Sequence, residues 1–569
     1  MFLPSNEHII ETKKCRITGR GFFVTDKDAA LYEKLDIPSP TLCPEELYRN
    51  ICAYRQELNL FPRKCDKTGE TILSCYRENT IFPVYQNKIW WSDDWSAFEY
   101  AMDFDFSKTF FEQYGALQKV VPREWTTIFN SENCAYTGHC RNSKNCYLSY
   151  WVSRAEDIYY SYWANGGRNI FDSAMANFCE NIYNCVDVIR CTLCVSCQEC
   201  RDSQECYFSY QLKNCQNCIA CSNLVWKQYY IYNKPSTAEE FKKTLALLQS
   251  SSELWWKAKA AFEKIRSESI RPESQCIIVD HCIGDHLQNC SDCVDCFDGL
   301  NGENLRHTIS FMDAKDSIWA YSLGWPYCEL CSHTCVIRDS SNVHYGFYLH
   351  SCKDSWYADS CRNSSDLFGC IGVNHGQHAI LNKAYSKQEY ETLTARVIDH
   401  MRSTEEWGEF FPFSLCPYPY NDSVAMDFYP LSESEAVSRG ARWASPIKSK
   451  NTPNTSDTPL HISEYDEKKV GKERAQKNID TVLAAVFRCP VTGEPFQIIR
   501  QELAFHIENS IPLPTIHPRQ RHQELMKLRN PRESFERNCD ECHKKIATSY
   551  APERSEKVLC EECYMKHIY

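Results

Sequence analysis

The sequence predicts a mainly β chain with helical caps, in which two parallel β-solenoid (β-helix-like) arrays of 12-residue repeats are flanked by zinc-ribbon or treble-clef-like modules. Three observations carry that expectation. A unit centred on Cys or Ile recurs with a step of 12 at Cys134, Cys146, Ile158, Ile170, Ile182, Cys194, Cys206, Cys218 and Tyr230. A second run keeps the step at Cys293, Leu305, Ser317, Cys331, Val343, Ser355, Leu367 and Ala379, apart from two extra residues around "YSLGWP". The two ends of the chain match without gaps at an offset of 474, from Cys15 and Cys489 through to Val84 and Val558.

Composition sets the frame. With 569 residues, 43% hydrophobic and 13% aromatic, the chain has material for several packed cores. No apolar run reaches the length of about 18 residues that a membrane helix needs, and the start lacks the basic and apolar regions of a signal peptide, so a cytoplasmic location is expected. In a reducing compartment, 35 cysteines read as metal ligands or buried thiols rather than disulfides. A net charge of −12 argues against a surface devoted to nucleic acid as a whole.

Taken in order, residues 1–92 read as a degenerate zinc-ribbon-like module and 93–130 as an aromatic and acidic connector, a Trp-rich wedge against the end of an array. Residues 131–234 form the first array and 235–272 its helical cap. Residues 276–383 form the second array and 384–440 its cap and connector. A polar linker follows at 441–480, and a C-terminal zinc-ribbon module at 481–569. A 12-residue period is too short for helical repeats and indicates stacked β-coils in which each unit buries its apolar face against its neighbours. Whether one unit is a full turn or half of a 24-residue turn is left open.

Positions three before and three after each centre change together. Ser143 goes with Ser149, Cys179 with Cys185, Cys191 with Cys197, and Cys215 with Cys221. The leading explanation is a tight bend with two small sides; disulfides across the bend and metal bridging between stacked Cys columns stand behind it. The Asn position before each centre is read as an internal stack, and the aromatic position after it either as an internal stack or as a ladder for a partner. Both arrays end alike, in "YIYNKPSTAEEF" and "AILNKAYSKQEY", where Thr237 with Glu240 and Ser386 with Glu389 form capping boxes that open helices. Those helices are expected to cover the open end of each stack.

The sharpest chemical signal is "CDECHKKIATSYAPERSEKVLCEEC", two CxxC knuckles separated by 17 residues. That spacing presents four thiolates to one tetrahedral ion, so Cys539, Cys542, Cys560 and Cys563 are the expected zinc ligands. Four thiolates close the coordination shell and make the zinc structural, not catalytic. In the N-terminal copy Thr68, Gln86 and Ile89 stand opposite Cys542, Cys560 and Cys563, so only Cys65 survives. An irregular set of Cys15, Cys43, Cys52 and Cys75 is the weaker alternative there. Cys489 has only His506 and His517 as distant candidates.

The combination of CxxTG, IPxP, "YQNKIWWSDDW", "DFDFSKTFFEQY", the NCY-type repeat, "NKAYSKQEY" and terminal zinc knuckles resembles a family of uncharacterised, Cys-rich, zinc-ribbon-containing repeat proteins of candidate-phyla (genome-reduced) bacteria. The resemblance covers nearly the whole chain and implies a zinc-ribbon-type module, with no activity attached. Its members are richer in knuckle cysteines at the N-terminal end than this chain. In the spacing of six between cysteines, the array also resembles the 12-residue coils of insect antifreeze proteins, without their Thr-x-Thr ladder.

These readings favour a non-enzymatic zinc-containing β-solenoid scaffold with a protein partner. The first alternative is RNA or ribosome binding through the terminal modules, because "HPRQRHQELMKLRNPRESFERNCDECHKK" is locally basic. The second is a β-helix-type enzyme acting on polysaccharide. No column collects the acids or basic residues such enzymes use, and there is no phosphate loop, dinucleotide glycine motif, HExxH or nucleophile elbow. A small-molecule substrate and a membrane partner are not expected.

Overall fold

The structure is a computed structural model and describes residues 3–4, 6–445, 456 and 459–569. It is a mixed α and β molecule rather than a mainly β one. Among the described residues fourteen α-helices accompany the strands, most of which pair in parallel, and no sheet closes into a barrel. Two compact units emerge, one of residues 1–127, 272–445 and 531–554, the other of residues 128–271, 446–530 and 555–569. Within the stretch read as a linker, residues 446–455, 457 and 458 lie outside the described residues. Lys472–Ala484 is helical, and Ile462 and Tyr465 are buried against Phe487, Cys489 and Phe496.

In both arrays the parallel register is 12 residues. Ile158 pairs with Ile170, Ile170 with Ile182, and Cys206 with Cys218; in the second array Val343 pairs with Ser355 and Leu367 with Ala379. The 12-residue unit therefore returns the chain to its own hydrogen-bonded neighbour, with no 24-residue alternation.

A finer period lies inside the 12. From Asn169 to Tyr232 every third residue has a left-handed φ between 45° and 60°, so each unit turns four corners. The residue after each corner points inward, and from Ile170 to Cys221 every third residue is buried. Those inward positions hold only Ser, Cys, Ala, Ile, Val and Leu, because four inward side chains per turn leave no room for larger ones. A left-handed corner costs an L-residue about 1–2 kcal/mol, least for Asn and Asp, which explains the Asn and Asp before each centre. Their side chains form coil-to-coil ladders on the outside, with Asn133 Nδ2 donating to Asn145 Oδ1 at 3.0 Å and Asn145 to Asp157 at 3.0 Å. They are corner residues and not the internal stack the sequence suggested.

The matched small positions have a bonding role beyond size. At these bends the backbone N–H finds its acceptor in a side chain of the preceding coil. Ser173 N donates to Ser161 Oγ at 3.2 Å, Cys185 N to Ser173 Oγ at 3.1 Å, and Cys197 N to Cys185 Sγ at 3.5 Å. The same hydroxyl or thiol donates back to carbonyls, as Cys185 Sγ does to Tyr183 and Cys194, each at 3.4 Å. Ser and Cys interchange because both can accept and donate here. No disulfide crosses a bend of either array among the described residues.

The helices opened by Thr237 and Ser386 carry the expected capping boxes. In the first array they lie along its side instead of closing its end. Tyr159, Phe171, Tyr183 and Val195 are buried in one core with Phe241, Leu248, Trp255, Phe262 and Phe505, the Phe505 ring stacking on Phe171 at 4.2 Å, so that column is internal and not an exposed ladder. At each array's end a short strand folds back antiparallel, Lys234 beside Ile231 and Lys383 beside Ile380, and an asparagine adds further bonds. Asn233 and Asn382 have φ of 60° and 61°. Asn233 Oδ1 accepts Ser222 N at 2.8 Å; Asn382 Oδ1 accepts Ile371 N at 2.8 Å and its Nδ2 donates to Ile371 O at 2.9 Å. In the unit holding the second array, Ala97 with Trp95 and Phe98 packs into the array's core.

Ser173→Ala removes the acceptor of a buried N–H and is expected to destabilise the first array by about 1–3 kcal/mol, whereas Ser173→Cys keeps the acceptor and stays within about 1 kcal/mol. Denaturant titration of the two variants checks this, and equal losses would show that size alone governs the position.

Candidate metal centre

The turn at Cys539 sits between strands Phe535–Asn538 and Lys545–Thr548. Cys539 N donates to Lys544 O at 2.8 Å and His543 N returns to Cys539 O at 3.0 Å, with His543 at φ 59°. Cys560 is the N-cap of helix Glu561–Ile568, which places Cys563 in its first turn. The sulfurs of Cys539, Cys542, Cys560 and Cys563 all lie within 4.8 Å of one another; Cys542 is exposed and the other three are buried. Four sulfurs 2.3 Å from a tetrahedral ion stand about 3.8 Å apart, so the set fits one thiophilic metal ion. A helix N-terminus beside two of them favours their thiolate form.

The same local plan occurs four times, which the end-to-end match at 474 revealed only in part. Cys15, Cys65, Cys489 and Cys539 each open a turn closed by the same pair of backbone bonds: Cys65 N to Glu70 O at 2.9 Å with Gly69 N to Cys65 O at 2.8 Å, and Cys489 N to Glu494 O at 2.9 Å with Gly493 N to Cys489 O at 2.8 Å. Gly19, Gly69 and Gly493 take the left-handed corner that His543 takes in the fourth copy. Each turn is followed by a helix whose N-cap is Cys43, Gln86, His517 or Cys560 respectively. The signal in the sequence is a spacing of 50, from Cys15 to Cys65 and from Cys489 to Cys539, with Thr and Gly repeating behind the first three cysteines.

In the first three copies Thr18, Thr68 and Thr492 stand where Cys542 stands in the fourth, and in the second copy Gln86 and Ile89 replace Cys560 and Cys563. Gln86 Nε2 donates to Thr68 Oγ1 at 3.2 Å and to Glu70 Oε2 at 2.8 Å. Burial pushes the Cys65 thiol up, but the Thr68 hydroxyl and the N–H of Gln86 outweigh it and leave the thiol below its ordinary pKa. Cys489 behaves alike through His517 N–H and Thr492, and Cys15 through Cys43 N–H and Thr18. The cradle that steadies a thiolate is kept where the full ligand set is missing. Cys15 and Cys43 stand together, while Cys52 is buried apart and Cys75 Sγ donates to Trp125 O at 3.1 Å, so the irregular four-cysteine set does not form. His506 is buried with Nδ1 at 3.1 Å from Ile511 O, and only His517, through its backbone, reaches Cys489.

A second thiol cluster lies at the start of the first array, where the sulfurs of Cys134, Cys140 and Cys146 are also within 4.8 Å of one another. Three arginines of the basic stretch before the last knuckle are engaged internally, while Arg519, Lys527 and Lys545 are exposed. Arg521 pairs with Asp172 and with Glu502 at 2.8 Å, and Arg529 with Asp187 at 2.9 Å; Arg532 pairs with Asp298 at 2.8 Å. These arginines are nearly inaccessible and pair with acids of their own unit. No helix among the described residues is long and apolar enough to cross a membrane. No protein-family model matches the sequence, and comparison with curated proteins finds none similar.

Restoring the missing ligands with Thr68→Cys, Gln86→Cys and Ile89→Cys is expected to add one equivalent of divalent metal per chain, counted by elemental analysis. No gain would show that the second copy has lost the ligand geometry as well as the ligands.

Proposed function

We propose that the chain is a non-enzymatic scaffold built on two β-solenoids with one 12-residue coil per turn, steadied by a structural zinc ion at Cys539, Cys542, Cys560 and Cys563. The observation that carries this reading is how the reactive groups are used. The inward cysteines and serines bond to the arrays' own backbone, and the candidate ligand set is four thiols with no position for water or substrate. The resemblance to Cys-rich repeat proteins with zinc ribbons agrees with it. Because the interior thiols serve as bond partners, the protein belongs in a reducing compartment, and the cytoplasm is the proposed location.

The partner proposed is a protein, which a long rigid array suits by offering many equivalent positions along one face. Nucleic-acid binding draws less support, since Arg521, Arg529 and Arg532 are held by buried carboxylates.

Elemental analysis of anaerobically purified protein tests the metal reading. About one zinc per chain is expected, lost in the Cys539→Ser, Cys542→Ser double variant while both arrays keep their far-UV dichroism. Zinc retained by that variant would overturn the assignment. A 260/280 nm absorbance ratio showing co-purified nucleic acid, abolished at moderate salt, would reverse the choice of partner.

A further inference from the structure

The interior cysteines of the first array fall into two groups. Those three before or after a centre accept a backbone N–H from the next coil, as Cys179 does from Cys191 at 3.4 Å. Cys134 and Cys146 stand instead in the central column, and Cys140 in the column six residues on. The next coils fill the central column with Ile158, Ile170 and Ile182, and the other with Val152, Ala164, Ala176 and Val188, before cysteines return to the two columns at Cys194, Cys206, Cys218 and Cys200. Packing at these places therefore accepts aliphatic side chains as well as thiols, and what marks Cys134, Cys140 and Cys146 is that their three sulfurs gather in one place.

The three sulfurs converge from two coils to within 4.8 Å of one another, and the residues are 3%, 1% and 2% exposed. They share their core with Val152, Ala155 and Ile128, and the group contains no imidazole or carboxylate. The polar side chain closest to Cys140 Sγ is Ser131, at 3.7 Å, whose hydroxyl donates to Phe129 O at 2.9 Å and accepts Ser143 N at 3.1 Å. The group offers three thiols and no fourth cysteine, imidazole or carboxylate, with the Ser131 and Thr137 hydroxyls beside Cys140. Zinc takes four ligands, whereas soft monovalent ions are satisfied by a few thiolates.

We propose that Cys134, Cys140 and Cys146 form a buried three-thiolate site for one soft monovalent ion of the copper(I) class. Binding releases thiol protons and moves no electrons. The site shares no ligand with the C-terminal four-cysteine set.

The test titrates copper(I) into full-length, anaerobically purified protein against a competing chelator, with X-ray absorption at the copper edge and resident metal counted in parallel. The expected result is a first equivalent surrounded by three sulfurs, with the resident metal unchanged. Cys140→Ala, whose column already holds Ala164 and Ala176, should weaken that equivalent by more than the roughly 10–100-fold that outer-shell substitutions cost. Cys146→Ile, matching Ile158 and Ile170, provides a second variant should the first fail to fold, and should act alike. Unchanged copper affinity in a folded variant would overturn the proposal, as would a first equivalent that ejects the metal at Cys539, Cys542, Cys560 and Cys563. Copper binding that persists in the Cys539→Ser, Cys542→Ser variant keeps the two metal assignments independent.

Discussion

The arrays depend on one hydrogen bond. A chain that turns four corners in 12 residues cannot offer a backbone carbonyl to every N–H, and a buried N–H without an acceptor costs about 1–3 kcal/mol. In this protein the acceptor is the hydroxyl or thiol one coil earlier, as with Ser173 beneath Cys185. The requirement explains the small inward residues, the exchange of Ser for Cys, and much of the cysteine content. Cys134, Cys140 and Cys146 stand out from the other inward cysteines by the gathering of their three sulfurs.

The terminal modules show a second economy of design. One knuckle turn followed by one helix start is used four times, and the turn keeps its backbone bonds whether or not four thiols are present. In the second copy Gln86 bonds directly to Thr68 at 3.2 Å, a tie that needs no metal. Only the last copy carries the complete set, in a part of the chain whose hairpin and helix are both short and have little apolar surface of their own.

The 12-residue repeat, the capping boxes and the four cysteines at 539–563 were all legible in the sequence, because each depends on residues close together in the chain. The three-residue period was harder to see. Outward positions between the inward ones vary freely, and Trp163, Met175 and Arg190 take left-handed corners that residue preference alone would reserve for Gly or Asn. The packing of the 238–268 helices onto the first array was not legible either, since matching Trp255 to Phe208 requires knowing which face of each element meets the other. The spacing of 50 within each end was hidden because little beyond Cys, Thr and Gly persists between copies.

The asparagines that finish each array carry a consequence for assembly. A stack of identical coils ends in a template, and its last rung would accept any strand presented to it, including the first coil of another molecule. The short strands that fold back at Lys234 and Lys383 fill that template together with the amides of Asn233 and Asn382. The stack is thereby given a fixed length, and a protein made of self-similar rungs is kept from growing into a fibre.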